Sequence, residues 1–374
     1  MASRIPIVLA SGRLQQLQSA DVLYDGTDEY LTRADLALRT FEARLTPTSG
    51  SPEATSAAFS TLYLSPYRGN KINLYDGSVW RTHTLSEISV AIPSTQYRLF
   101  DVFVYDNNGT LTLETQNWTQ TSASITGATN ASPIVVTSTG HGLSNGDFVG
   151  VAGVGGNTAA NGLWEVANVA TDTFELLGST GDGAYTSGGT WFKINGQSNS
   201  GLTTQNGITV KSGSTGKRYC GIGMTSGTSG VCRVDATHVW LANVENQIQH
   251  RLSLFYGTSH TYASTTFRHL NGDGTQFRSF LVPNGRQSPT VAFITPQMNG
   301  DGASAPTAVI TLGSFNGATQ DCHCSTAATT SQRFSAVGMS DQSEGFHYRA
   351  PAESRFNTGT ATFTQLIFRM YIPR

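Results

Sequence analysis

Short runs of aromatic and β-branched residues, each closed by a glycine or an Asn-Gly pair, recur from about residue 40 to the last residue. FSTLYLSPY, KINLYDG, VWRTHTL, LFDVFVYDNNG and LTLETQNW are the first of them. Such runs are too short for ordinary helices and carry the period of strands. Arg68-Gly69-Asn70, Asp76-Gly77 and Asn107-Asn108-Gly109 are turn signals, and VFVYDNNGTLTLE reads as a hairpin. Composition agrees. The 374 residues include 40 glycines, and only 13% are charged, about half the usual share. Aromatic residues make up 10%, which gives each segment something to bury and separates the chain from a disordered one. The expected fold class is all-β and multidomain, with β-sandwich or jelly-roll-like domains.

Charge and cysteine content narrow the partners. The net charge is −2, so no global basic field draws the chain to nucleic acid. The opening MASRIPIVLASGRLQQLQ has an apolar run from Ile5 to Ala10, interrupted by Pro6. It reads as neither a signal peptide nor a membrane span, and no apolar run reaches spanning length. No membrane partner is expected, and assembly in the cytoplasm is. Four cysteines, Cys220, Cys232, Cys322 and Cys324, are too few for a disulfide framework.

Along the chain, residues 1–26 read as an extended arm with no partner strand, of the kind that docks on another protein. Residues 27–45 hold the one helical stretch. Leu31, Ala34, Leu38 and Phe41 fall near helical spacing and Asp28 is placed to cap it, although the end, TFEARL, alternates like a strand. Residues 122–194 form a separate block, with composition shifts at SASITGATNAS before it and GQSNSGLTTQNG after it. The last strand-like run, TATFTQLIFRMYIP, is apolar enough to be tied into a sheet. The arginines of RMYIPR read as a solvated end, or as groups that pair with a neighbouring subunit.

GHGLSNGDFVGVAGVGG, residues 140–156, has the glycine density of a phosphate cradle. A phosphate loop needs its glycines to end at a helix N-terminus, whose free N–H groups bind the anion. No Gly-Lys-Ser/Thr follows, and NTAANGLWEVANV alternates like a strand. Hairpin turns at Asn145-Gly146 and Asn161-Gly162 are expected instead, with His141 as a hydrogen-bonded turn residue.

Asp321-Cys322-His323-Cys324 has soft-metal ligand types, and Cys220 and Cys232 could complete a zinc set. The pairs lie about a hundred residues apart, unlike the tight spacing of zinc motifs. A Cys220–Cys232 disulfide is conceivable if their strands pair, and plain buried thiols are the default. His238, His250, His260, His269 and His347 are scattered among strands, and in a trimer His323 or His347 could meet its copies on the axis and hold a metal. NGDGTQ and NGDGAS could be calcium loops, but one acidic ligand each supplies too little charge. Glycoside hydrolysis needs two opposed carboxylates. The late acids Asp235, Glu245, Asp273, Asp301, Asp321, Asp341, Glu344 and Glu353 sit largely in turns, and no Gly-x-Ser-x-Gly elbow occurs. No catalytic residue, metal ligand or cofactor is assigned.

TLYLSPYRGNKINLYDGSVW (61–80), DVFVYDNNGTLTLETQNWT (101–119), GITVKSGSTGKRYCGIG (207–223) and HVWLANVENQ (238–247) together resemble a family of bacteriophage virion structural proteins. The opening RIPIVLASGRLQQLQSADVL is similar to the start of many of them. In similar proteins the segment matching QNWT leads into the one matching GITVKSGSTGKRYCG. The resemblance thus implies that 122–194 is an insertion. Residues 27–121 with 195–235 are then a discontinuous first β-domain, and 236–374 a C-terminal β-sandwich. The inserted block resembles a small β-barrel module of phage tail and fibre proteins, related to the first catalytic cysteine half-domain of ubiquitin-activating enzymes. It contains no cysteine, so no thioester chemistry carries over.

The resemblance implies a non-enzymatic virion component, homotrimeric, serving in head decoration or as a short head fibre. Its partners are copies of itself and other capsid or tail proteins. The N-terminal part would dock, and the insert and C-terminal sandwich would project. The alternative is a tail-fibre or baseplate protein that binds host surface glycans, with Tyr262, Phe346 and Tyr348 as exposed stacking platforms. A glycan-cleaving enzyme is the reading from another class.

Overall fold

A computed structural model describes residues 7–10, 13–16, 22–24, 30–32, 40–199, 201–284, 290–299, 305–312, 319–325, 332–333, 336–340, 344–356 and 360–374. The described chain is all-β. Its helical content is two 3-10 turns, Thr158–Ala160 and Leu270–Gly272. The helix expected over 27–45 gives way to strands Tyr30–Thr32 and Ala43–Thr46, while 33–39 lie outside the described residues. All four positions of Ala43–Thr46 are buried, Arg44 included. Ala43–Thr46 falls at the end of TFEARL, where the alternation already reads as a strand. The arm is also not free of partners. Ile7–Ala10 pairs with Arg13–Gln16, from which Ser11 and Gly12 separate it in sequence, and Val22–Tyr24 pairs with Tyr30–Thr32.

Three large sheets make up most of the body, and the inserted block forms a fourth. A front sheet runs Thr110–Asn117, Leu99–Asn107, Ser214–Met224, Ile208–Lys211, Leu202–Gln205, and Leu241–Asn243 also joins Ser214–Met224. The strands at 99–117 and 202–224 thus bond directly to each other across the 122–194 block. A long sheet takes Ser56–Phe59, Cys232–Val234, His238–Val239, Arg278–Val282, Gly345–Phe356, Ala305–Leu312 and Thr319–Ser325, so it runs across residue 235. The C-terminal sheet is built on Ala361–Pro373, flanked by Gln249–Tyr256 and Thr290–Asn299.

The long sheet lies between two cores. Phe280 and Val282 face Leu252, Leu254, Ile294, Phe368 and Met370 of the C-terminal sheet. Leu281, Tyr348 and Ala350 face Leu45, Leu64, Phe100, Val102 and Ile222 in the front layers. Two glycines set the spacing in the front layers. A Cβ on Gly223 would sit 2.2 Å from the Phe100 ring, and one on Gly221 would sit 2.1 Å from the Ala242 carbonyl.

The inserted block forms its own sheet in the order Ser122–Ser124, Thr190–Lys193, Phe148–Ala152, Gly162–Ala167, Thr173–Leu176, Ile134–Thr137, Gly127–Ala128. This is not the closed barrel expected. The first and last strands are halves of one bent segment, and Ile125 and Thr126 bond to Gly189 and Thr137 on opposite edges. The sheet curls, but its ladder stays open where the chain itself makes the corner. Alternation then buries both faces. Val149, Val151, Trp164, Val166 and Trp191 form the block's own core. Phe148, Leu163 and Phe192 point the other way and pack on the body. The block therefore does not stand away from the rest of the protein.

Candidate functional site

The residues singled out in the sequence are mostly structural. His141 is buried, its Nε2–H donating to the Ala170 carbonyl at 3.0 Å and its Nδ1 accepting from the Leu143 N–H at 3.0 Å. Those partners fix the tautomer and lock the turn. Gly140, Gly142, Gly146, Gly153 and Gly156 hold positive φ, as turn glycines do. The stretch is a set of corners.

Cys220 and Cys232 are free, buried thiols on strands of different sheets, so no disulfide joins them. Burial pushes both up to about 12. The side chains of Cys322, His323 and Cys324, and the loop NGDGAS after Asn299, lie outside the described residues. In NGDGTQ the Asp273 carboxylate is used within the turn, accepting from Thr275 and Gln276. His238 shares a hydrogen bond with Ser279 at 2.7 Å, and burial, with Arg233 nearby, lowers it to about 3. His250 donates to the Asp235 carbonyl, and burial lowers His269 to about 4. His347 stacks on Phe280. His260 and Arg268 both pair with Glu353, which is fully buried and also accepts from the Asn271 N–H.

The aromatics expected to be exposed are not. Phe346 and Tyr348 are 9% and 5% exposed, because Gly345–Phe356 runs through the middle layer. Tyr262 is half-buried beneath the Arg268 guanidinium. Arg374 is buried as well. It donates to the carbonyls of Glu53 and Ala54, and its own carbonyl accepts from Arg44. It is neither a solvated end nor free for a neighbouring subunit.

Among the described residues is a groove of about 560 Å³ that sequence reasoning missed. Three hairpin ends converge on it. The first joins Lys71–Tyr75 to Trp80–Thr84, and the Asp76 carboxylate closes its turn by accepting from the Ser78 and Val79 N–H groups. Those two N–H groups, with Arg81, hold the carboxyl at about 2. The second joins Leu99–Asn107 to Thr110–Asn117 through Asn108 and Gly109, at φ 52° and 89°, with Asp106 accepting from the Gly109 N–H. The third joins Ile208–Lys211 to Ser214–Met224. Gly216 lets this last strand pass the Tyr75 carbonyl, which a Cβ would approach to 3.0 Å.

Half-buried Tyr75 and Tyr105 give the groove aromatic surface. The Tyr75 ring leans on Trp80 with 5.6 Å between centroids, and Lys217 lies 4.6 Å from the Tyr105 centroid. Its charges are paired locally, Arg81 with Asp76 and Lys217 with Glu114. The turn signals YDGSVW and YDNNG were legible in the sequence. Their convergence was not, because about ninety residues separate the second hairpin, ending at Asn117, from the third, starting at Ile208.

No protein-family model matches the sequence, and no curated protein matches it. Solved structures give distant likenesses. The insecticidal delta-endotoxin Cry8Ea1 from Bacillus thuringiensis is 7% identical over 89% of this chain, with a TM-score of 0.19. Dimeric latent PorU from Porphyromonas gingivalis is 10% identical over 68%, with a TM-score of 0.22. The VP2 subviral particle of infectious bursal disease virus is 9% identical over 89% of this chain and 81% of its own, with a TM-score of 0.22. The chain spans 51% of Cry8Ea1 and 24% of PorU. Likenesses at these scores carry no argument about function.

Proposed function

We propose that this chain is a non-enzymatic building block of a bacteriophage particle, a homotrimeric head-decoration or short head-fibre protein. The segment resemblances point to a virion component. The observation that carries the assembly reading is the outer face of the C-terminal sheet. Phe255, Ile367 and Thr295 are direct cross-strand neighbours on that face, as are Arg251, Tyr371 and Val291. Phe293 lies between the two rows, beside Arg369. Phe255 is 66% exposed. The opposite face packs in the C-terminal core, while on this face Phe255 is exposed and Val291, Phe293, Ile367 and Tyr371 are half-buried.

A second copy of the chain is the occupant this reading commits to. Covering Phe255 alone is worth about 1.5–3 kcal/mol, and a face repeated by symmetry multiplies that gain. Arg251 and Arg369 then meet carbonyls or carboxylates of the next subunit and set its orientation. The N-terminal part would dock on other virion proteins during assembly in the host cytoplasm.

Light scattering of the purified chain should give a trimer, and Phe255→Asp should shift it to monomer. A wild-type monomer at micromolar concentration overturns the assembly reading. Antibody labelling of virions should decorate heads, and a tail-only signal would replace head decoration with a tail-fibre or baseplate role. Release of reducing ends from host polysaccharide would overturn the non-enzymatic reading.

A further inference from the structure

We propose that the groove between the three hairpin ends binds a neutral oligosaccharide. This stands apart from the assembly reading, because the groove lies within one chain and needs no second copy.

The volume, about 560 Å³, lies inside the range of small-ligand sites, roughly 300–1,000 Å³. Its lining is mixed. The Tyr75 and Tyr105 rings offer flat apolar surface. The Asp106 carboxylate, the His83 imidazole and the Ser214 and Thr215 hydroxyls offer hydrogen-bonding groups at its edges. A pyranose ring has the matching anatomy: an apolar C–H face and a rim of hydroxyls that both donate and accept.

Charge selects among hydroxyl-rich ligands. Arg81 and Lys217 are balanced by Asp76 and Asp106, and both cations already hold carboxylate partners. Among the described residues that line the groove, Asp76 and Asp106 match Arg81 and Lys217 in number, and Glu114 holds both Lys211 and Lys217, so phosphate chains and sulfated or uronic glycans gain little compensation for their desolvation. Asp106 keeps one carboxylate oxygen outside its turn hydrogen bond, and an anionic ligand would be repelled by it.

The walls are also preorganised. Asp76 and Asp106 brace two turns from within, and the long ladder of Ser214–Met224 holds the third. A site whose loops are fixed before binding loses little entropy when a ligand arrives.

The test is binding of the full-length protein to an array carrying neutral and acidic oligosaccharides, followed by calorimetric titration of the strongest ligand. Neutral glycans should bind, and Tyr75→Ala and Tyr105→Ala should each weaken binding at least tenfold. Thr215→Trp, which adds bulk at a half-buried position of the lining, should abolish binding while the thermal midpoint holds. The Thr215 variant keeps the test decisive if a tyrosine variant misfolds. Binding to no glycan, binding to acidic glycans only, or binding unchanged in Thr215→Trp overturns the proposal.

Discussion

The ring of Phe148 stacks on the ring of Tyr348 with 4.2 Å between centroids, and Tyr348 donates to the buried Glu165 carboxylate at 3.0 Å. Phe148 and Glu165 are cross-strand partners in the inserted block, while Tyr348 lies in the middle layer of the body. An aromatic stack and a hydrogen bond thus lie side by side in the seam where Phe148, Leu163 and Phe192 pack on the body. Phe148→Ala should destabilise the protein by about 3–5 kcal/mol, measured by urea unfolding. A double-mutant cycle with Tyr348→Leu should give a coupling of about 0.5–1.5 kcal/mol. Additive effects would mean the stack contributes nothing beyond burial.

Asp101 predicts a pH dependence. Burial pushes its carboxyl up to about 7, the Glu344 charge adds to the rise, and Trp118 and Tyr219 draw it partway back. Neither the Trp118 N–H nor the Tyr219 hydroxyl closes a hydrogen bond of good geometry with it, so the rise dominates. The unfolded chain loses this proton near pH 4. The folded protein keeps it up to about pH 7, so the contribution is full below pH 4 and lost as pH rises through 7. The span corresponds to on the order of 4 kcal/mol. Asp101→Asn should flatten urea stability between pH 5 and 8 and exceed wild type at pH 8. An unchanged slope would show that Asp101 is ionised throughout.

Arg44 ties distant segments together. Its Nε donates to the Asn246 carbonyl at 3.1 Å, one terminal nitrogen donates to the Arg374 carbonyl at 3.0 Å, and the other reaches Pro52. Burial lowers the guanidinium to about 10, which leaves it charged at neutral pH. Arg44→Lys keeps the charge, but one ammonium cannot reach three carbonyls that diverge this far. Each orphaned carbonyl costs about 1–3 kcal/mol, so the lysine variant should lose about 2 kcal/mol or more in denaturant titration. A loss below 0.5 kcal/mol would count against the clamp.

Cys220 and Cys232 should be inert in the native protein. The thiolate is the reactive form, and burial at about 12 leaves almost none at pH 8. Peptide mapping after iodoacetamide treatment should find both unmodified until guanidinium is added. Native labelling of either would place its strand at the surface.

Local signals in the sequence were read correctly where they act locally. Asn108 and Gly109 turn a hairpin because residues there must take positive φ. Gly140, Gly142, Gly146, Gly153 and Gly156 make corners for the same reason, and His141 caps a turn through bonds to residues about thirty positions away or nearer. Misreadings fell where a neighbour in space decides the outcome. At Tyr30–Thr32 the helical spacing of Leu31 with Ala34 and Leu38 points to a helix, yet the residues pair as a strand with Val22–Tyr24, a partner in space that spacing does not show. Phe346 and Tyr348 were taken for exposed rings, although their strand lies between two layers. The groove escaped notice because its three walls are each an ordinary turn.

The sequence by itself determined that this chain would be β-rich, finely divided by turns, and almost free of helix. Those properties follow from side-chain shape and backbone freedom at single positions. Tertiary structure alone decided which strands became interior. It also decided that the inserted sheet curls open and packs its second face on the body, and that burial raises the Asp101 carboxyl. Burial is a property of the whole assembly of layers. A residue's own identity sets what burial costs, while its neighbours in space set whether it is buried.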